Sequence, residues 1–410
     1  MKTLACIAAA ACGTLLSTVA LSATDPVLEW NAIMISTTTG PNPFSQARVA
    51  AITQLAVFEA VNAIDKEFDP YLGTVHASPT ASAEAAAVAA AHGVLKNYFP
   101  ASATTLDAAR ATSLARIPDG GSKAEGTAVG EAAAAAMIAL RTDDGSVPAQ
   151  FYLPASAEPG AWRLTPTCPA AGGILLQWRD LRPFAIETSD QFRLPPPPAL
   201  TSRRYARDYK EVQRVGGMDS VFRPQDRADV AQFYAVSPPV VVFNTAAAQV
   251  AVQQGRTLAE NARALALIDM AISDAFAAVF DTKYHYNRWR PETAIHEGDT
   301  DRNPLTRADP AFTPFVSAPC FPSYASAHAS GSNAAREVLE RLYGPRHHFI
   351  TLSNQTVGVL LQYDSFRQIT RDIDDARVYG GIHFRFDQEA GGKLGQQVGA
   401  YVQRHALRRR

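Results

Sequence analysis

The chain has 410 residues, with 38 Lys and Arg against 39 Asp and Glu, for a formal net charge of −1. That balance excludes a nucleic-acid binder held by bulk electrostatics. Hydrophobic residues at 47% and charged residues at 19% exclude overall disorder and leave ample apolar surface for a core.

Met1 and Lys2 precede an apolar stretch over residues 3–20, and small residues follow through Ala23. Residues 1–23 read as a secretory signal peptide, which predicts an exported protein, periplasmic or secreted, with residues 24–410 as the mature domain. Cys6 and Cys12 leave with that segment, while Cys168 and Cys320 remain. An oxidising compartment permits a disulfide between those two, and sequence alone does not show whether they come close enough. No Cys-x-x-Cys spacing suggests zinc. Beyond the N-terminal segment, no apolar run reads as long enough to span a bilayer.

Residues 46–64 place Val49, Ile52, Leu55, Val57, Phe58 and Val61 at helical spacing, and the Ala-rich stretches 81–98 and 124–140 predict two more helices. From 152 to about 205, prolines at 154, 159, 166, 169, 183 and 195–198 predict a long ordered connection without a regular element. Helical pattern returns at 205–215, 225–234 and 246–284, then at 332–343, 355–367 and 391–405. No period-2 alternation predicts a sheet, and no repeat is present. The fold class is all-α: one large domain of packed bundles.

Three segments carry chemistry. In the first, Lys283 and Arg290 stand seven residues apart and share a helix face, and Pro291 ends that helix. Two cations at a helix end suit a multiply charged oxyanion. In the second, the run Phe321-Pro-Ser-Tyr-Ala-Ser326-Ala327-His328 precedes a helix that begins near Ser326. Ser326 is then a candidate N-cap; its hydroxyl and the first-turn amides form an anion site with His328 beside it. In the third, Arg377 and His383 stand six apart. An unbroken helix would point them about 240° apart, so convergence needs a break that Gly380–Gly381 can supply. Together these residues suit a tetrahedral oxyanion passing through a five-coordinate state, with one imidazole on the axis and the other handling protons.

The three segments resemble the signature of the vanadium-dependent haloperoxidases and the related phosphatidic-acid-phosphatase type 2 acid phosphatases: Lys-x6-Arg-Pro, Pro-Ser-Gly-His and Ser-Arg-x5-His. Trp30-Asn31, residues 56–64, residues 196–200, Phe321-Pro-Ser-Tyr324 and His383-Phe-Arg-Phe-Asp387 are similar to haloperoxidase-type chains. The resemblance implies the helical-bundle fold of that family and a vanadate cofactor. His383 would ligate vanadium, and Lys283, Arg290, Arg377, Ser326 and the amide of Ala327 would hold the vanadate oxygens. His328 would act as acid–base group, and vanadium would keep its oxidation state. The implied partners are hydrogen peroxide, a halide and a small organic acceptor, with room for a homo-oligomer. Ala327, Ala325 and Ala376 replace the family's Gly, Pro and Ser, and Phe280 stands where chloride-oxidising members can carry Trp. An acid phosphatase would use the same residues on phosphate, with His383 as nucleophile and His328 as acid. A non-catalytic oxyanion binder is a third reading.

Asp274, nine residues before Lys283, is a candidate to orient a site cation. His285 and His296 read as structural, and His347-His348 as a surface pair. Phe321 is a candidate wall near the halide. Cys320 adjoins Phe321, so a disulfide there would brace the site.

Overall fold

The computed structural model describes residues 25–40 and 42–410; the expected signal peptide lies outside them. Asp25 caps α1 (Pro26–Thr38) by accepting from the Val27 and Leu28 amides, and Pro26 opens the helix without losing a bond. Asn42 does the same for α2 (Pro43–Asp65). Next come α3 (Ala83–Tyr98), α4 (Ala103–Leu114) and α5 (Gly121–Leu140). Neither α1 nor α4 is foreseen in the sequence pattern.

Helix α2 contradicts one expectation, because by length and composition it could cross a bilayer. Its most apolar stretch is instead 94% buried, against α3, α5 and the later helix α9 (Leu258–Tyr286). Its unbroken apolarity follows from being covered all round.

The proline-rich connection is ordered and irregular, as expected, apart from one 3₁₀ turn at Leu176–Asp180. It buries Trp162 and Trp178. Helices α6 (Arg203–Val215), α7 (Gln225–Val236) and α8 (Pro239–Gln253) follow it and precede α9. The single helical run expected over 246–284 is split between α8 and α9. Gly255 adopts φ +60° at the break, and Thr257 opens α9 with a capping box to Glu260. Helix α9 packs against α2 and α8, and also against α11 (Ala327–Tyr343) and α13 (Arg385–His405), so both bundles share it. The short α10 (Pro291–His296) begins directly after Arg290.

Residues 355–367 are not the expected helix. They hold a turn and the second strand of a hairpin, β1 (Ile350–Asn354) with β2 (Val359–Tyr363), antiparallel with Leu352 opposite Leu361. Gly358 sits at φ +67°, and the Asn354 side chain accepts from the Thr356 amide. Glutamines 249 and 253 of α8 bridge the outer main chain at Thr351 of β1 and at Phe349 just before it, so a helix supplies the bonds of a third strand. Five-residue strands are too short to show alternation in the sequence. Helix α12 (Phe366–Tyr379) follows.

Cys168 and Cys320 are joined, with Sγ–Sγ 2.04 Å.

Candidate active site

Lys283 lies in the last turn of α9, and Asn287 ends the helix in the left-handed region. Arg290 is extended and caps α10. Both side chains are fully buried and turn toward the backbone of residues 321–323. Lys283 Nζ donates to the Pro322 and Ser323 carbonyls, each at 2.9 Å. Arg290 Nε donates to Phe321 O and Nη1 to Ile382 O, both at 2.9 Å. The Phe321 ring lies 5.0 Å from each cation. It also packs on Phe280, which touches Phe44 in turn.

Ser326 is the N-cap of α11, as expected: its Oγ accepts from the Ala329 amide at 3.3 Å. The hydroxyl proton is then free to donate elsewhere. The first-turn amides, Ala327 among them, have no carbonyl partner within the helix. His328 follows in the first turn and keeps partial exposure, whereas Lys283, Arg290, Ser326, Ala327, Arg377 and His383 are all buried.

The expected break between Arg377 and His383 is present. Helix α12 ends at Tyr379 and α13 starts at Arg385. Gly381 turns the chain at φ +79°, and a Cβ there would collide with the Gly216 carbonyl. Arg377 Nη1 donates to Tyr234 O at 2.9 Å. His383 Nε2 meets Arg290 Nη1 at 3.1 Å. Arg290 thus meets His383 directly, Lys283 joins them through the backbone of residues 321–323, and the Ser326 amide donates to the Asp387 carbonyl at 3.0 Å; Arg377 and His328 bear on His383 through their charge alone.

Sequence reasoning gives no role to Asp387, yet it decides what His383 can do. As the third residue of α13, it reaches back to the Phe384 amide at 3.1 Å. The same oxygen, Oδ2, faces His383 Nδ1 at 2.9 Å and accepts from Ser323 Oγ at 2.6 Å. A carboxylate accepts only, so Nδ1 carries the proton and the lone pair is on Nε2, facing the cations. The spacing of four residues across a helix start was the available signal.

Three other readings change. Asp274 orients no site cation; it accepts from the amides of Phe184, Ala185 and Ile186 and so fixes the proline-rich connection. His348 is no surface group: it is buried, donates from Nε2 to Gly344 O at 2.8 Å, and lies against Phe366. His347 is exposed as expected, and His296 is structural, bonded to Phe312 O at 2.7 Å.

Burial dominates the electrostatics. It lowers Arg290 to about 9, with Asp387 opposing and Arg377 reinforcing the shift. It lowers Arg377 to about 10. Lys283 is held well below its usual range by burial and then by Arg290. His383 is depressed by burial and by Arg290, Lys283 and Arg377; His328 is depressed by burial, Arg377 and Lys283. Asp387 is raised to about 6 by burial, against the pull of its Ser323 hydrogen bond. Lys283 and Arg290 therefore face one carboxylate in a low-dielectric place, and Arg377 adds its charge to Arg290 and His383. Arg290 Nη2 and Arg377 Nε are buried there without a hydrogen-bond partner. Two orphaned guanidinium N–H groups, free helix amides and an unprotonated ring nitrogen fit a tetrahedral oxyanion with a ligating histidine.

Residues 263–410 match the family model for the VCPO second helical-bundle domain, a span that includes all the site side chains above. A bacterial vanadium-dependent iodoperoxidase superposes at TM-score 0.78 with 24% identity, over 94% of this chain and 97% of its own. The whole chain has the fold of the vanadium haloperoxidases. The apo form of a bacterial vanadium-dependent chloroperoxidase superposes at 0.74 with 15% identity, over 88% of this chain and 94% of its own. Its holo form gives 0.70, again with 15% identity, over 88% and 91%. No curated protein matches the sequence. Against this vanadium haloperoxidase framework, the all-α reading stands, with the hairpin as an ornament on it.

Proposed function

We propose that the protein is a vanadate-dependent haloperoxidase, oxidising a halide with hydrogen peroxide to hypohalous acid or a halogenated organic product. The observation that carries this reading is the Nε2 of His383, oriented by Asp387 and set against Arg290 among three buried cations. Lys283, Arg290 and Arg377 would hold the oxygens of vanadate, Ser326 and the Ala327 amide would add donors, and His383 would ligate the metal. Bound vanadate supplies a Lewis-acid centre that keeps its oxidation state. Arg290 is held by carbonyls at Nε and Nη1, so Nη2 would be left for the anion. His328, partly open to solvent and kept neutral by burial and by Arg377 and Lys283, would serve as the acid–base group toward the peroxide. Phe321 and Phe280 keep water from the apolar side. The disulfide supports an exported protein, since such bonds persist in oxidising compartments.

The same dyad favours one second reading. A neutral His383 held by Asp387 is also a competent nucleophile toward a phosphate ester, with His328 protonating the leaving group. Two assays on the purified chain separate them: halogenation of a dye with orthovanadate, peroxide and bromide or iodide, and hydrolysis of a phosphate ester with and without vanadate. Vanadate-dependent halogenation supports the first reading. Hydrolysis inhibited by vanadate, without halogenation, replaces it with the second. Neither activity rejects both.

A further inference from the structure

Three consecutive backbone carbonyls aim two of the three site cations. Phe321 O takes Arg290, and Pro322 O and Ser323 O take Lys283. A shift of this short segment would therefore misdirect both side chains together. The residue just before it is Cys320, bonded to Cys168 across 152 positions.

The bond is part of a closed ring of contacts. The Ile174 amide donates to Cys320 O at 2.9 Å. The Ile174 carbonyl accepts from Tyr284 Oη, and Tyr284 adjoins Lys283 on α9. Thr167 Oγ1 donates to Ala318 O at 3.0 Å. The connection is thus tied to the start of the carbonyl segment by the disulfide, and to the residue beside Lys283 by Tyr284. Arg290 and Lys283 take their directions from atoms inside that ring.

We propose that the Cys168–Cys320 disulfide is a positioning element of the oxyanion site, so that its reduction weakens oxyanion binding while the helical fold persists. The proposal rests on the reading of the site as an oxyanion site, whichever reaction follows. Cys168 is partly exposed and Cys320 buried, so Cys168 is the sulfur a reductant reaches. A dithiol would act by ordinary exchange. One thiolate attacks Sγ of Cys168, the S–S bond breaks, and Cys320 leaves as a thiolate that takes a proton. The second thiolate of the reagent then displaces Cys168, which is protonated in turn. The reagent ends as a cyclic disulfide, having given two electrons. The helices remain packed, because the bond joins two irregular segments.

The test is calorimetric binding of inorganic phosphate, a tetrahedral probe that thiols leave unchanged. Three forms are compared: the oxidised chain, the same chain reduced by a dithiol and desalted anaerobically, and the Cys168→Ser/Cys320→Ser variant. The reduced and variant forms should bind about tenfold more weakly or worse, the effect of one misdirected charge-assisted hydrogen bond. Their helical circular dichroism should match the oxidised chain. Reoxidation should restore affinity to the reduced chain and leave the variant unchanged. Equal affinity in all forms overturns the proposal. Collapse of helical signal on reduction overturns it too, because the bond would then be a staple of the whole fold. Failure of the oxidised chain to bind phosphate strikes instead at the oxyanion reading beneath it. If the variant does not fold, the reduced and reoxidised wild-type chain decides alone.

Discussion

Replacing Asp387 by asparagine or by alanine should give two distinct losses, and the structure sets their sizes. Oδ2 meets three donors, from Ser323, His383 and Phe384, while Oδ1 is buried with no partner. An asparagine can put its carbonyl oxygen where Oδ2 sits and its amide where Oδ1 sits. All three donors stay satisfied and the tautomer of His383 is kept. What disappears is the charge, and the histidine bond weakens from charge-assisted to neutral by about 1 kcal/mol. Asp387→Asn should therefore lower kcat only about tenfold. Asp387→Ala strands three buried donors. At about 1–3 kcal/mol for each stranded group, it should cost at least about 3 kcal/mol of stability. It should also cut kcat on the order of 10³-fold, because only the long 3.3 Å approach of Ser323 Oγ then remains to hold the proton on Nδ1. Denaturant unfolding and steady-state turnover, read together, are the assay. Equal losses in the two variants would refute the reasoning, because Oδ2 would then not be acting as a shared acceptor.

Further outcomes follow from single residues. His383→Ala should abolish turnover with the fold intact, and near wild-type turnover would reject its role. Asp274→Ala leaves three backbone amides without an acceptor and should destabilise the chain by about 3 kcal/mol or more; phosphate affinity well below the melting temperature should be unchanged. Asp269 is buried in α9, bonded to Asn244 at 2.7 Å, and pushed up to about 8 by burial. Because its folded value lies above the unfolded one of about 3.9, its contribution is complete at acid pH and is lost as the pH rises from about 4 to 8. Asp269→Asn should flatten that decline in a series of melting curves, and parallel curves for variant and wild type would contradict the assignment.

The sequence spoke clearly where chemistry forces residue type and spacing together. The motifs single out Lys283, Arg290, Ser326, His328, Arg377 and His383 as candidates, and the break they require at Gly380–Gly381 is present. What stayed hidden depends on partners distant in the chain. Asp387 reads as an ordinary first-turn acid until His383 is seen against it. Asp274 looked like a helper of Lys283 because the two share a helix, and only the folded path of residues 184–186 gives it other work. The hairpin escaped notice because its outer bonds come from glutamines on α8, a hundred positions away. Helices α8 and α9 merged in the pattern because apolar periodicity runs up to a break made by one glycine and one threonine cap.

Helix α9 makes the two bundles inseparable in practice. The family match begins at residue 263, inside this helix and past its Thr257–Glu260 cap. A fragment cut there would start with an unprotected end and bare the side that α2 covers. Shuffling the catalytic half onto another partner would thus require carrying this beam whole, together with a substitute for the helix that shields it. The described helices before α9, which carry none of the candidate site residues, are the scaffold on which that rod is laid.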